Sequence, residues 1–125
     1  MIIAIGTDIV EISRIAEVLQ RQGERFVERI LCASEKELYE AHSNGVAFFA
    51  KRFAAKEAIS KALGTGIGHG VSFQDMVISN DDKGAPYVDL FGGAAEVMKS
   101  RGAKRILISL SDEREYALAY AVLSE

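Results

Sequence analysis

Residues 45–70 read GVAFFAKRFAAKEAISKALGTGIGHG, and this stretch decides the fold. Its first part is rich in alanine, phenylalanine and lysine and contains no proline, so it predicts one long helix from about Gly45 to Leu63. Its last part has four glycines between residues 64 and 70, which preclude a regular element. The stretch therefore predicts a long helix that ends in a glycine-rich loop.

The rest of the chain predicts helices before this stretch and mostly strands after it. The expected elements are a buried strand over 2–5 ending at Gly6, a helix over 11–22 interrupted at Gly23, a helix over 34–41 opened by a capping box at Ser34–Glu37, strands over 76–79 and 86–90 around a turn at 80–84, a helix over 93–100, and strands over 105–111 and 116–123. This order predicts a single α+β domain over residues 1–125, with the first strand and the helices packed on a mainly antiparallel sheet.

Composition excludes several classes of protein. The 125 residues are 49% hydrophobic and 26% charged, which is typical of a globular domain. No apolar run approaches the roughly 20 residues that span a bilayer, and the opening MIIAIG lacks the basic region of a signal peptide, so we expect a cytoplasmic protein without a membrane segment. The net charge of −3 does not favour nucleic acid binding. The single cysteine, Cys32, excludes an internal disulfide and is expected to be a buried, inert thiol.

The first motif that can carry chemistry is Gly6-Thr7-Asp8, followed by Arg14. Here the predicted strand ends, and a carboxylate stands at the expected junction of strand and helix. Taken alone, Asp8 is typical of a helix cap and Arg14 of a solvated surface charge.

The second motif is Phe53-Ala54-Ala55-Lys56-Glu57-Ala58-Ile59-Ser60-Lys61. Its members Phe53, Glu57 and Lys61 are four residues apart, so they share one helical face. An ordinary Glu–Lys pair on a helix surface is one interpretation. Magnesium binding is the other, because Mg²⁺ is held by one or two carboxylates with waters and substrate phosphates, and the glycine loop beyond Lys61 could bring backbone N–H groups to phosphate oxygens.

Taken together, the two motifs resemble the signature pair of the 4′-phosphopantetheinyl transferases, most closely the small bacterial class of holo-acyl-carrier-protein synthases. The resemblance extends over the Arg52–Glu57 core, the Gly64–Gly68 continuation, the Gly84-x-Pro86 turn and the last two strands. It implies transfer of the 4′-phosphopantetheine group of coenzyme A to a serine of an apo acyl carrier protein, in support of fatty acid biosynthesis.

By the same resemblance, Asp8 and Glu57 bind Mg²⁺, and Lys61 contacts phosphate and acts in catalysis. The serine hydroxyl attacks the β-phosphorus and adenosine 3′,5′-bisphosphate leaves. A metal-bound water and Glu57 remain alternative acceptors of the serine proton. The remaining residues expected to contact coenzyme A are Phe49, Arg52, Gly64, Thr65, Gly66, Gly84, Pro86 and Asp112.

The resemblance also implies a homotrimer with each active site at a subunit interface, where the Gly84-x-Pro86 turn would serve a neighbouring subunit. Two positions depart from the family pattern. Ala85 stands where many relatives have lysine, and Asp112 where many have histidine. A phosphate contact is therefore expected to be missing at Ala85, and a role for Asp112 near the ligand is left open.

Four arginines in the first quarter of the chain form the expected surface for a partner. Arg14, Arg21, Arg25 and Arg29 are spaced by seven, four and four, so they would share one arc of an unbroken helix. Acyl carrier proteins are acidic, and a positive arc would steer and orient such a partner. Simple solvated arginines are the alternative, as is a non-catalytic module that binds an anionic ligand. RNA binding is disfavoured by the net charge.

Overall fold

The computed structural model describes residues 1–125 and confirms the α+β class. The elements are β1 (Ile2–Glu11), α1 (Ile12–Gln22), α2 (Glu24–Ile30), α3 (Ala33–Ala41), α4 (Gly45–Leu63), a 3₁₀ turn (Phe73–Asp75), β2 (Met76–Asn80), β3 (Pro86–Leu90), α5 (Gly92–Ser100), β4 (Arg105–Asp112) and β5 (Tyr116–Ser124). None of the five helices has the length and hydropathy of a membrane-spanning segment.

The strands form two antiparallel sheets. One sheet has the order β1-β5-β4, and the other is the β2-β3 hairpin. In the larger sheet, β5 lies in the middle, so the two ends of the chain are paired, with Gly6 opposite Ala121 and Asp8 opposite Ala119. This pairing brings the motif near the start of the chain onto the sheet that α4 covers.

Helix α4 packs across one face of this sheet and is the centre of the core. Its buried positions there are small, among them Ala54, Ala58 and Ala62, and they lie in one cluster with Ala119 and Ala121 of β5. Small side chains on both elements let the helix backbone approach the sheet closely, and they leave little room for rearrangement. The predicted bounds of α4 are confirmed.

Two predictions at the start of the chain are wrong. The first strand continues through Gly6 to Glu11, so Asp8 lies within β1 and does not cap a helix. Helix α3 is capped by Cys32, whose backbone N–H donates to Glu35 Oε1 at 2.8 Å, and the expected capping box at Ser34 does not form. Glu35 satisfies this N–H because its carboxylate is held inside the protein. Cys32 itself is half-buried, and burial raises the pKa of its thiol, which keeps it protonated.

The predicted break at Gly23 is confirmed. Gly23 adopts φ 57°, which glycine tolerates readily, and it separates α1 from α2. Consequently the four arginines do not lie on one straight helix. Arg14 and Arg21 belong to α1, whereas Arg25 and Arg29 belong to α2.

Candidate active site

A glycine at the centre of β1 sets the distance between this strand and α4. A Cβ atom placed on Gly6 would lie 2.0 Å from the carbonyl oxygen of Ala58 and 2.7 Å from the amide nitrogen of Ala62. No side chain fits there, so β1 lies directly against the helix backbone. Asp8, two residues further along the same face of the strand, therefore reaches the face of α4 that carries Lys61.

Asp8 and Lys61 are in direct contact. Lys61 Nζ donates to Asp8 Oδ1 at 3.0 Å and to the carbonyl oxygen of Thr7 at 2.9 Å. The second carboxylate oxygen, Asp8 Oδ2, is buried and has no hydrogen-bond partner within the chain. A buried anionic oxygen without a partner is costly, so this atom is available to a cation or a donor that the protein itself does not supply.

Glu57 completes a pair of carboxylates at the same place. Partial burial raises the pKa of Glu57 above its ordinary value, and the negative charge of Asp8 raises it further, while Lys61 and Arg29 oppose the shift. The charge of Asp8 acts on Glu57 only because β1 and α4 bring the two side chains close together. A negative charge on Asp8 that disfavours the ionisation of Glu57 is an arrangement that a divalent cation would relieve.

The donors present fit magnesium better than a metal enclosed by protein ligands. The chain contains no group of three or more histidine, cysteine, aspartate or glutamate side chains placed to hold a metal ion. Mg²⁺ needs fewer protein ligands than that, since waters and substrate phosphates complete its octahedron. The unpartnered Asp8 Oδ2 and the partly exposed Glu57 are therefore suitable donors.

Three backbone N–H groups of the glycine loop are used at the end of α4. The N–H of Gly64 donates to the carbonyl oxygen of Lys61, and those of Thr65 and Gly66 both donate to the carbonyl oxygen of Ser60. These three groups cap the end of α4, with Gly64 in the left-handed conformation at φ 85°. These three N–H groups are therefore used within the chain, and the expected phosphate contacts of the loop stay a prediction.

A second polar site surrounds Arg52. Its guanidinium is almost fully buried, lies over the ring of Phe48 at 4.7 Å, and donates through Nη2 to Asn80 Oδ1 at 3.2 Å. Its Nε–H has no partner, and burial lowers the pKa of the group. A cavity of about 300 Å³ opens beside it, with these lining residues: Leu38, His42, Phe48, Lys51, Arg52, Asn80 and Leu110. Two basic side chains and an unused donor make this cavity suitable for an anion.

Asn80 joins this cavity to the hairpin turn. Besides accepting from Arg52, its side-chain amide donates to the carbonyl oxygen of Gly84 at 3.0 Å. The turn containing Gly84 and Pro86 is thus tied to Arg52 within one chain. Asn80 was not among the predicted site residues, because an asparagine at the start of a polar turn is already explained by turn formation.

Two other residues that were predicted to contact coenzyme A, Phe49 and Asp112, make contacts within the protein. Phe49 is fully enclosed and packs against Phe26 and Tyr39, with ring centroids at 5.1 and 5.5 Å, so it belongs to the core and has no surface to offer coenzyme A. Asp112 forms an ion pair with Lys51 at 3.0 Å at the rim of the Arg52 cavity. Asp112 therefore lies beside this cavity and positions one of its cations.

A larger, mostly apolar cavity lies next to Glu57. It has a volume of about 600 Å³ and is bounded by β1, α1, α2 and α4. Arg14 and Arg29 are its basic lining residues, and Phe53 and Phe73 are among its apolar ones. Arg14 and Arg29 thus line one cavity together with Glu57. Sequence periodicity alone did not predict that these two arginines share a cavity with this carboxylate.

Two carboxylates and a lysine in contact with one of them form one polar site, and a separate cationic cavity is suited to an anion. Comparison with known proteins gives the family: the chain belongs to the 4′-phosphopantetheinyl transferase superfamily, whose family model matches residues 4–121. This confirms the resemblance drawn from the two motifs.

Individual relatives agree over nearly the whole chain. A holo-[acyl-carrier-protein] synthase of Vibrio vulnificus is 54% identical over 121 residues, which are 97% of this chain and 96% of that protein. The crystal structure of the Neisseria meningitidis holo-[acyl-carrier-protein] synthase matches with a TM-score of 0.92 at 40% identity and covers both chains completely. The Helicobacter pylori enzyme, solved in complex with coenzyme A, matches with a TM-score of 0.85 at 38% identity over 96% of this chain and 99% of that one.

Proposed function

We propose that this protein transfers the 4′-phosphopantetheine group of coenzyme A to a serine of an apo acyl carrier protein, as a magnesium-dependent step that supports fatty acid biosynthesis in the cytoplasm. The observation that carries the proposal is the meeting of the two motifs, with Asp8 of β1 on Lys61 and beside Glu57 of α4. Relatives that match nearly the whole chain, one in sequence and one in structure, are named for this activity.

The serine oxygen forms a bond to the phosphorus that bears the pantetheine arm, and the anhydride bond from that phosphorus to the second one breaks. Adenosine 3′,5′-bisphosphate leaves with that bond's electrons, and the proton of the serine hydroxyl passes to Glu57 or to water. Bound Mg²⁺, held by Asp8 and Glu57, would neutralise the diphosphate and favour its in-line displacement. Lys61 contributes a fixed positive charge, because its ammonium is held by Asp8 and by the Thr7 carbonyl and is half exposed toward solvent.

The nucleotide end of coenzyme A fits the Arg52 cavity. Arg52 brings an unused N–H donor and a buried positive charge, and Lys51 lies at the rim. A buried guanidinium recovers part of its desolvation cost when it binds a phosphate. Gly84 and Pro86 would contact the same ligand through the turn that Asn80 ties to Arg52, and the contact at Ala85 is absent.

The carrier protein would dock on α1 and α2 through Arg14, Arg21, Arg25 and Arg29. The bend at Gly23 makes this surface concave, with the 600 Å³ cavity between the two helices and Glu57. An acidic partner attracted by the arginines would meet apolar surface at the cavity and bring its serine toward Glu57. Docking and chemistry would then occupy one continuous surface.

The outer face of the larger sheet supports self-association. Side chains that point away from α4 include Ile5, Ile9, Leu107 and Tyr120, which are between 48 and 65% exposed. They lie on three neighbouring strands of one sheet, and exposed apolar patches mark protein–protein interaction sites. We propose that this face forms the homotrimer interface. Sedimentation should give a trimer, and Tyr120→Glu should shift it to monomer, whereas a monomeric native protein would exclude the interface.

Transfer is tested directly by the mass of the carrier protein. The chain is incubated with coenzyme A, Mg²⁺ and an apo acyl carrier protein, and the carrier should gain one phosphopantetheine group. Chelation should abolish the gain and added Mg²⁺ should restore it. If no gain occurs with several divalent ions, while coenzyme A still binds, the chain is an anion-binding module and the proposal fails.

The docking surface is tested by reversing charge away from the metal. Arg21→Glu with Arg25→Glu should raise KM for the carrier at least tenfold and leave KM for coenzyme A within twofold. Lys99→Glu with Lys104→Glu, on exposed residues near the end of α5 and just before β4, is the matched control and should change neither. An unchanged carrier KM in the first variant would show that the carrier docks elsewhere.

A further inference from the structure

Lys56 is the one motif lysine that cannot reach a substrate. It precedes Glu57 in α4 but points into the interior, where its side chain and that of Glu35 are both completely buried. Its ammonium donates to Glu35 Oε1 at 2.7 Å, to the carbonyl oxygen of Ile30 at 2.7 Å and to that of Phe73 at 3.2 Å. All of its donors are used inside the protein.

The buried pair joins five elements of the fold: α2, α3, α4, the 3₁₀ turn and β2. Lys56 belongs to α4, Ile30 is the last residue of α2, and Phe73 begins the 3₁₀ turn. Through its two oxygens Glu35 also accepts from the N–H of Cys32 at 2.8 Å and from that of Ile78 in β2 at 3.2 Å. A buried ion pair contributes little net stability compared with well-packed apolar side chains, so its clearest effect is to fix the geometry of the groups it joins.

The joined groups form the wall of the cavity beside Glu57. Ile30 and Phe73 both line it, and so does Arg29, the residue before Ile30. The Arg29 guanidinium lies over the ring of Phe73 at 5.9 Å. Arg29 therefore contacts one of the two residues whose backbone carbonyls accept from Lys56, and it directly precedes the other, Ile30. Lys56 thus holds two residues of this wall through their backbone carbonyls, although it does not line the cavity itself.

We infer that Lys56, with Glu35, is a positioning residue for the carrier protein. It holds the end of α2 and the Phe73 turn so that Arg29 of α2 faces the carrier beside Glu57 of α4. The inference rests on the proposed function for the identity of the partner. It predicts that loss of the pair weakens the carrier interaction selectively, because the Arg52 cavity and the contact between Asp8 and Lys61 share no hydrogen bond with this pair.

The test removes both charges together, because loss of Lys56 alone would leave a buried carboxylate unpaired and could prevent folding. In Lys56→Met with Glu35→Gln, the glutamine carbonyl can still accept from Cys32. The Kd for apo acyl carrier protein alone is measured by calorimetry, followed by both KM values well below the melting temperature. We expect the carrier Kd and KM to rise at least tenfold, with KM for coenzyme A within twofold. Unchanged carrier affinity, or an equal rise in both KM values, would overturn the inference.

A double-mutant cycle with Arg29→Ala shows whether Lys56 acts through the cavity wall. If it does, adding Arg29→Ala to the charge-free pair should cost much less carrier affinity than Arg29→Ala costs in the native protein. Fully additive losses would contradict the inference. The calorimetric Kd does not require turnover. A native chain that binds the carrier but transfers nothing would therefore refute the proposed function. The role of Lys56 in carrier binding would still be decided by this cycle.

Discussion

Replacement of Gly6 by alanine is the sharpest test of how the site is assembled. The added Cβ would lie 2.0 Å from the Ala58 carbonyl oxygen, where contacts under 3.0 Å are essentially never found, so β1 and α4 must separate by about 1 Å. Neither contacting atom can rotate away, because both belong to the backbone of α4. Overpacking of this kind costs typically 1–3 kcal/mol, and we expect a loss of about 3 kcal/mol here. For a domain of this size that corresponds to about 12 °C in Tm.

The same separation should affect the chemistry. Asp8 lies two residues beyond Gly6, and its hydrogen bond with Lys61 is 3.0 Å long, so a shift of about 1 Å breaks the contact. Misplacement by about 1 Å can cost a factor of about 100 in rate. Phosphopantetheine transfer by the folded variant should therefore fall about 100-fold, measured as carrier mass against time well below its Tm.

Gly102→Ala is the matched control. Gly102 has φ 75°, and no atom lies within 4 Å of the place that a Cβ would occupy, so alanine brings backbone strain of about 1–2 kcal/mol without a clash. It should lower Tm by a few degrees and leave the activity of the folded protein unchanged. If Gly6→Ala retains native Tm and native activity, then close contact of β1 with α4 does not position Asp8, and the reasoning is refuted.

Three further substitutions separate the roles of site and core. Arg52→Met should weaken coenzyme A binding about 10- to 100-fold in calorimetry, since a charged hydrogen bond is worth about 1.5–3 kcal/mol, and an unchanged Kd would remove Arg52 from the ligand site. Phe49→Ala should cost about 3–5 kcal/mol in urea unfolding with KM for coenzyme A unchanged, and a selective rise in that KM would restore its predicted ligand role. Burial and Asp8 raise the pKa of Glu57, so its contribution to stability is present below the unfolded pKa and is lost as pH rises through the folded one. Glu57→Gln should therefore abolish transfer yet raise Tm at neutral pH in chelator, with little effect at acid pH, and a variant that is less stable at neutral pH would contradict this.

The sequence predicted the elements of the fold well where local signals were strong. Helix α4 was predicted within its observed bounds because alanine-rich helical sequence gives way abruptly to glycines at Gly64. The end of β1 was predicted wrongly because Gly6 looks like a strand terminator. Its actual reason is a tertiary contact with α4, which no local pattern contains.

The site was predicted in part for the same reason. Asp8 and Glu57 could be paired only through a family resemblance, since their meeting depends on β1 packing against α4. The sequence did not reveal that the first three amides of the glycine loop cap α4, because free amides and amides that cap a helix have the same sequence. Phe49 was predicted as a ligand contact but is enclosed by the core, because helical spacing does not reveal which aromatic side chains the core encloses.

Strand β1 ends at Glu11 and α1 begins at Ile12, with no loop between them. The position of α1 is therefore tied directly to that of β1, the strand that carries Asp8. If the carrier protein docks on α1 as proposed, no flexible segment separates its docking surface from that strand. Insertion of two or three glycines between Glu11 and Ile12 should leave binding of the carrier protein intact, while the bound complex fails to transfer phosphopantetheine.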